Sequence, residues 1–140
     1  MEARYPRKVY LVDIGLRRVV LRKEIEQSRL LENMVYLELR RRLKRNQEIR
    51  YWQYENGEVD FFVVDSGNPF QAIQVTETLQ DPDTKRREIK VVKKIMFKHH
   101  IENALIVTLN EKTEIRTKTR RFMAIPFWEF ALKPEKYLNV

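Results

Sequence analysis

The chain has 140 residues, enough for one domain with a real core and too few for two. Hydrophobic residues make up 43% and charged residues 34%, which excludes a disordered chain, and no run approaches the roughly 20 apolar residues of a membrane span. With no cysteine there can be no disulfide or thiolate metal site, and a net charge of +8 fits a polyanionic partner.

The N-terminus lacks the apolar core of a signal peptide, and the chain reads as cytoplasmic. Val9–Val12 is a strand or an extended lead-in, and Asp13 is placed to cap a short turn at Gly15-Leu16. From Ser28 to Lys44, Leu31, Val35, Leu39 and Leu43 recur every four positions, which predicts a helix. At about 100° per residue, Glu32 and Glu38 lie on opposite shoulders of the apolar face, each about 60° from Val35. The cationic run Arg40–Arg45 suits the negative end of the helix dipole.

From Glu48 the period changes to two. Ile49–Tyr54 predicts a strand, and Glu55–Glu58 a tight hairpin turn about Asn56-Gly57. Val59–Val64 is apolar except for Asp60, as in a strand covered on both faces. Ser66–Pro69 turns the chain into a strand over Phe70–Thr76. Asp81 caps and Pro82 opens a second helix that runs to about Lys98 and buries Ile89, Val92, Ile95 and Met96. Ala104–Leu109 follows as a buried strand, Lys112–Thr119 as a polar hairpin or loop, and Phe122–Ile125 as a last strand. Pro126–Leu132 is a short terminal helix whose Phe127, Trp128 and Phe130 close the end of the sheet. A crossover helix between Phe70–Thr76 and Ala104–Leu109 predicts parallel pairing of those strands. The expected architecture is one α/β domain over 1–140, a mixed sheet of about four or five strands flanked by helices.

Strict alternation puts Asp60, Phe62 and Val64 on one face of their strand, and Phe70, Ala72, Gln74 and Thr76 on one face of the next. If those faces agree, Asp60 and Gln74 project to the same side, where the first helix can lay Glu32 over them. Two carboxylates and an amide oxygen are donors that Mg²⁺ or Mn²⁺ accepts, held weakly because Gln74 carries no charge. A carboxylate inside an apolar strand is equally well explained by a buried ion pair with an arginine, Arg40 or Arg87. Gln74 also suits a simple hydrogen bond to a neighbouring loop, and Glu38 competes with Glu32 for the site. Glu58, at the hairpin turn, reads as solvated. Basic residues cluster at Arg40–Arg45, Lys85–Lys94 and Arg116–Arg121. In the second cluster Arg86, Lys90 and Lys93 are candidates for phosphate contact, with a solvated helix face as the alternative. Tyr51, Trp52 and Tyr54 read as packing rather than base stacking, and His99-His100 as helix-end cations rather than metal ligands.

Leu31–Arg42, Tyr51-Trp52, Glu58-Val59-Asp60-Phe61, Gln74-Val75-Thr76 and Thr84–Ile89 occur in an order that resembles a known domain. It is similar to the C-terminal nuclease-like domain, of the PD-(D/E)xK kind, of archaeal and bacterial AAA+ ATPases of unknown function. The opening Lys8–Leu16 is similar to that family's lead-in, and the resemblance covers nearly the whole chain. The Gly-x-x-x-x-Gly-Lys-Ser/Thr motif of the family's ATPase domain is not in the sequence, so the chain reads as a fragment or a stand-alone copy.

The resemblance implies a restriction-endonuclease-like core. In active members an acidic residue on one strand and a Glu-x-Lys pair on the next bind metal and orient water. Asp60 matches the first acidic residue, Gln74 the second, Thr76 the lysine, and Glu32 a helical glutamate. A threonine hydroxyl cannot do a lysine's work at neutral pH. The resemblance therefore implies a nuclease-like DNA-binding or accessory domain with a degraded active site. The alternatives are an active Mg²⁺- or Mn²⁺-dependent DNA endonuclease, with Arg87 or Lys90 standing in for the lysine, and a protein–protein interaction module. DNA and an ATPase domain of the same or another chain are the expected partners, and homo-oligomerisation is left open.

Overall fold

A computed structural model of the chain describes residues 8–21, 26–54 and 57–138. Residues 8–13 run as an extended lead-in without strand pairing, and Asp13 Oδ1 accepts hydrogen bonds from the amides of Gly15 and Leu16. That cap opens α1 (Ile14–Leu21), a helix where the sequence suggested only a turn. Helix α2 (Gln27–Arg42) follows, slightly displaced from the expected Ser28–Lys44, and buries Leu31, Asn33, Val35 and Leu39. Arg40, Arg41 and Arg42 occupy its last turn, the favourable end for positive charge.

Next come β1 (Gln47–Tyr54), β2 (Gly57–Asp65) and β3 (Asn68–Val75), an antiparallel meander. Tyr54 pairs with Gly57, and turn residues 55 and 56 lie outside the described residues. The β2–β3 turn is tighter than the expected Ser66–Pro69. Only Ser66 and Gly67 turn, both with positive φ (49° and 85°), the pattern of a two-residue hairpin turn; at φ 85° glycine carries none of the strain a side chain would add.

Helix α3 (Pro82–Lys98) starts as expected, with Asp81 Oδ2 accepting from the Thr84 amide at 2.7 Å. It returns the chain to β4 (Asn103–Thr108), which pairs in parallel with β3. The polar segment 112–119 contains a strand, β5 (Thr113–Arg116), which folds back antiparallel on β6 (Arg121–Pro126). Strand β6 lies parallel to β4. The chain closes with α4 (Phe127–Leu132) and a short α5 (Pro134–Tyr137).

The sheet therefore has six strands, in the order β1-β2-β3-β4-β6-β5, not four or five. The extra strand escaped notice because Thr113–Arg116 buries a single apolar residue, Ile115. On one face α2 contributes Val35 and Leu39 to a core with Phe61, Val63, Ile73, Leu105, Val107 and Phe130. On the other face α3 packs Val91, Val92, Ile95 and Met96 over Phe62, Val64, Ala72 and Ile106. At the sheet end Phe130 is fully buried and Phe127 partly so, but Trp128 is half exposed, so two aromatics and not three close the core.

One irregularity governs the site. Strand β1 pairs Arg50 with Phe62 and Trp52 with Val59, so Asp60 and Phe61 together lie opposite Tyr51. That is a β-bulge, and it resets which side each residue faces. Val59 joins Phe62 and Val64 under α3, while Phe61 joins Val35 under α2. The simple alternation that placed Asp60 with Phe62 and Val64 is broken here.

A lysine locked among three carboxylates

The β2–β3 ladder ends at Phe61 opposite Ile73, and beyond it the two strands part. Two side chains take over the lost backbone partners. Asp60 Oδ2 accepts from the Val75 amide at 2.9 Å, and Gln74 Oε1 accepts from the Asp60 amide at 3.2 Å. The Asp60 amide is buried and the Val75 amide partly so, and these side-chain bonds supply each with a partner where the ladder has ended. Gln74 Nε2 then donates to Glu88 Oε2 at 2.8 Å, tying the fork to α3.

The other Asp60 oxygen faces a cation, though not an arginine. Lys8 Nζ lies 3.0 Å from Asp60 Oδ1, 2.9 Å from Glu32 Oε1 and 3.3 Å from Glu58 Oε1. The two arginines expected to neutralise Asp60 lie elsewhere: Arg40 is exposed on α2, and Arg87 pairs with its neighbour Glu88. Glu58, expected to be simply solvated, is half exposed yet reaches Lys8. Glu38, the competitor of Glu32, pairs with Arg41 and Arg42 on its own helix. Glu32 is thus the α2 glutamate at the site, and its Oε1 also accepts from the Tyr10 hydroxyl at 2.6 Å.

Asn33 explains why the lead-in arrives here. Its buried side chain accepts from the Leu11 amide and donates to the Leu11 carbonyl, both at 2.9 Å, as a strand neighbour would. Tyr10 stacks on Tyr36, with centroids 4.2 Å apart. Held at both points, the segment delivers Lys8 to the carboxylates. Sequence reasoning missed Lys8, Tyr10, Asn33 and Glu88. Asn33 lies about 160° from Val35 on the helix circumference, outside the apolar stripe of α2, so periodicity gave no signal for it.

The electrostatics follow from three acids sharing one ammonium. Burial, then the Glu32 charge, push the Asp60 carboxyl up to about 7 despite the opposing pull of Lys8. Burial lowers the Lys8 ammonium, but Asp60 and Glu32 more than reverse it and hold it above its ordinary range. Burial and the bond to Glu32 keep the Tyr10 phenol well above its usual value, so it stays a donor.

Glu32, Glu58, Asp60, Gln74, Arg87 and Glu88 line one cleft of about 310 Å³. The three side chains expected to converge therefore do so. Their oxygens do not fit a divalent ion as placed: Asp60 spends one on Lys8 and one on Val75, Gln74 spends its own on Asp60, and Glu32 turns Oε1 to Lys8 and Tyr10. Among the described residues no group of three or more His, Asp or Glu side chains is arranged to hold a metal. Thr76, at the position matched to the lysine, gives its hydroxyl to the Thr78 carbonyl.

The remaining candidates lie away from the cleft. Arg86 and Lys90 are exposed on α3 and Lys93 is half buried. Trp52 packs on the α3-side core and His99, with Lys98 Nζ 4.5 Å above its ring. His99 itself packs against Phe62, and burial lowers its imidazole. The Tyr54 side chain lies outside the described residues. Among the described residues no helix is long and apolar enough to cross a membrane.

Residues 27–130 match the family described as Domain of unknown function (DUF4143). The chain is 34% identical over 132 residues to an uncharacterised protein of Methanocaldococcus jannaschii, a match covering 89% of this chain and 29% of that protein. The chain spans less than a third of that relative's length. No solved structure matches it. On the family match and the archaeal relative together, the chain belongs to the DUF4143 family.

Proposed function

We propose that this is a nuclease-like DNA-binding accessory domain in which a former cation site has become a structural joint, closed by Lys8. One observation carries the reading. The Lys8 ammonium stands within 3.3 Å of three carboxylates, Glu32, Glu58 and Asp60, at a strand fork where Asp60 and Gln74 are spent on backbone amides. The mixed sheet, the meander leading to a crossover helix, and acidic side chains at the strand ends support a restriction-endonuclease-like core. A net charge of +8 and the exposed cations Arg86 and Lys90, with Lys93 beside them, support contact with nucleic acid through α3.

The relative is more than three times the length of the matched segment, which supports an accessory role beside another domain. An ATPase domain, in the same or another chain, is the partner this reading assigns. Two measurements test it together. Fluorescence anisotropy with a labelled duplex across a salt series should show binding that weakens steeply with salt. Incubation of supercoiled DNA with Mg²⁺ or Mn²⁺ should leave it intact. Cleavage abolished by Asp60→Ala would return the enzyme reading, and no binding even at low salt would remove the DNA reading.

A further inference from the structure

The outer face of α3 carries more than charge. At about 100° per residue, Arg86, Lys90, Lys93, Lys94 and Phe97 fall within about 100° of one another on the helix circumference. Phe97 sits inside that stripe, about 160° from Ile95, which is fully buried against the sheet. Phe97 is 77% exposed, so packing among the described residues does not account for it. The stripe covers about 16 Å of helix axis from Arg86 to Phe97.

We infer that this face binds single-stranded nucleic acid, with Phe97 stacking on an unpaired base while Arg86, Lys90 and Lys93 contact the flanking phosphates. The inference rests on the DNA-binding reading and names its substrate class. Charge complementarity selects a polyanion, and the ring selects among polyanions. A duplex presents phosphates and groove edges to a helix lying on it, which leaves an apolar ring against charged oxygen. A single strand exposes the faces of its bases, which stack on aromatic rings regardless of sequence. Phe97 is exposed and belongs to none of the core clusters, so truncating it opens no cavity there.

The test is anisotropy of the full chain with a labelled oligo-dT and with a labelled duplex of equal length, for the parent, Phe97→Ala, Phe97→Trp and the double variant Lys90→Glu/Lys93→Glu. Circular dichroism confirms that each is folded. Phe97→Ala should weaken oligo-dT binding about 5- to 100-fold, leave duplex binding within about 2-fold and keep the same salt dependence. Phe97→Trp should restore the single-strand affinity, and the charge reversal should weaken both ligands. Phe97→Ala with unchanged oligo-dT affinity overturns the stacking inference while leaving DNA binding intact. No binding of either oligonucleotide at low salt overturns both readings. Phe97-dependent binding to phosphatidylserine vesicles without nucleic-acid binding would assign the face to a membrane surface instead.

Discussion

Lys8 and Asp60 are 52 positions apart in sequence, yet an ammonium–carboxylate contact of 3.0 Å joins them at the end of the central sheet. The contact ties the lead-in to β2, and the same ammonium reaches α2 through Glu32. Asp60 is the more buried partner, with its side chain 8% exposed against 20% for Lys8, so losing Lys8 leaves a poorly solvated acid facing Glu32.

Lys8→Met should therefore destabilise the chain by about 2–3 kcal/mol, as expected for breaking a largely buried pair. Asp60→Asn keeps an oxygen for the Val75 amide and should cost less than Asp60→Ala. In a double-mutant cycle by urea unfolding, Lys8→Met with Asp60→Asn should show a coupling energy above about 1 kcal/mol. Strict additivity would mean that the contact contributes nothing to the fold.

Asp60 also predicts a pH dependence with a definite sign. Its carboxyl titrates near 4 when unfolded and is pushed up to about 7 in the fold. Between those values the folded chain binds more protons than the unfolded chain, so this group's stabilising contribution falls as pH rises through that window. Asp81 and Glu129 lean the other way, because hydrogen bonds hold them below the usual carboxylate range. The useful quantity is thus the parent's stability minus that of Asp60→Asn, which should decline from pH 4 to pH 7. A difference that is flat, or that rises with pH, would contradict the burial argument.

Asn33 is predicted to hold the lead-in as a strand neighbour would. Asn33→Ala removes both bonds to Leu11 and should cost about 1–2 kcal/mol. Hydrogen exchange at the Leu11 amide should rise well above that of the α2 core amides. Protection equal to the parent's would show that the lead-in is held by something else.

Reversing Lys90 and Lys93 should flatten the salt dependence of duplex binding. Two lost phosphate contacts should lower the slope of log affinity against log salt by about 2. An unchanged slope would place the phosphate contacts on another face, with Arg116–Arg121 the next cluster to reverse.

Much of the fold was legible because its signals are local. Period-four apolar residues mark α2, Asp81-Pro82 marks the start of α3, and the crossover marks the parallel pairing of β3 and β4. The site was legible only in part. Glu32, Asp60 and Gln74 do line one cleft, but their roles depend on the bulge at Asp60-Phe61 and on the ladder ending at Phe61–Ile73. Those are properties of strand pairing that period-two alternation cannot show. Lys8 was invisible for a related reason: its partners are chosen by where Asn33 and Tyr36 dock the lead-in, a contact no sequence spacing encodes. Strand β5 was read as hairpin or loop because an edge strand needs few apolar residues.

Whether the cleft's cation is built into the chain is tested most directly by calorimetric titration with Mn²⁺ at neutral pH, on the parent and on Lys8→Ala. If Lys8 fills the place an ion would take, the parent should give no saturable Mn²⁺ heat in the millimolar range. Saturable Mn²⁺ binding by the parent, lost in Asp60→Ala, would contradict the account.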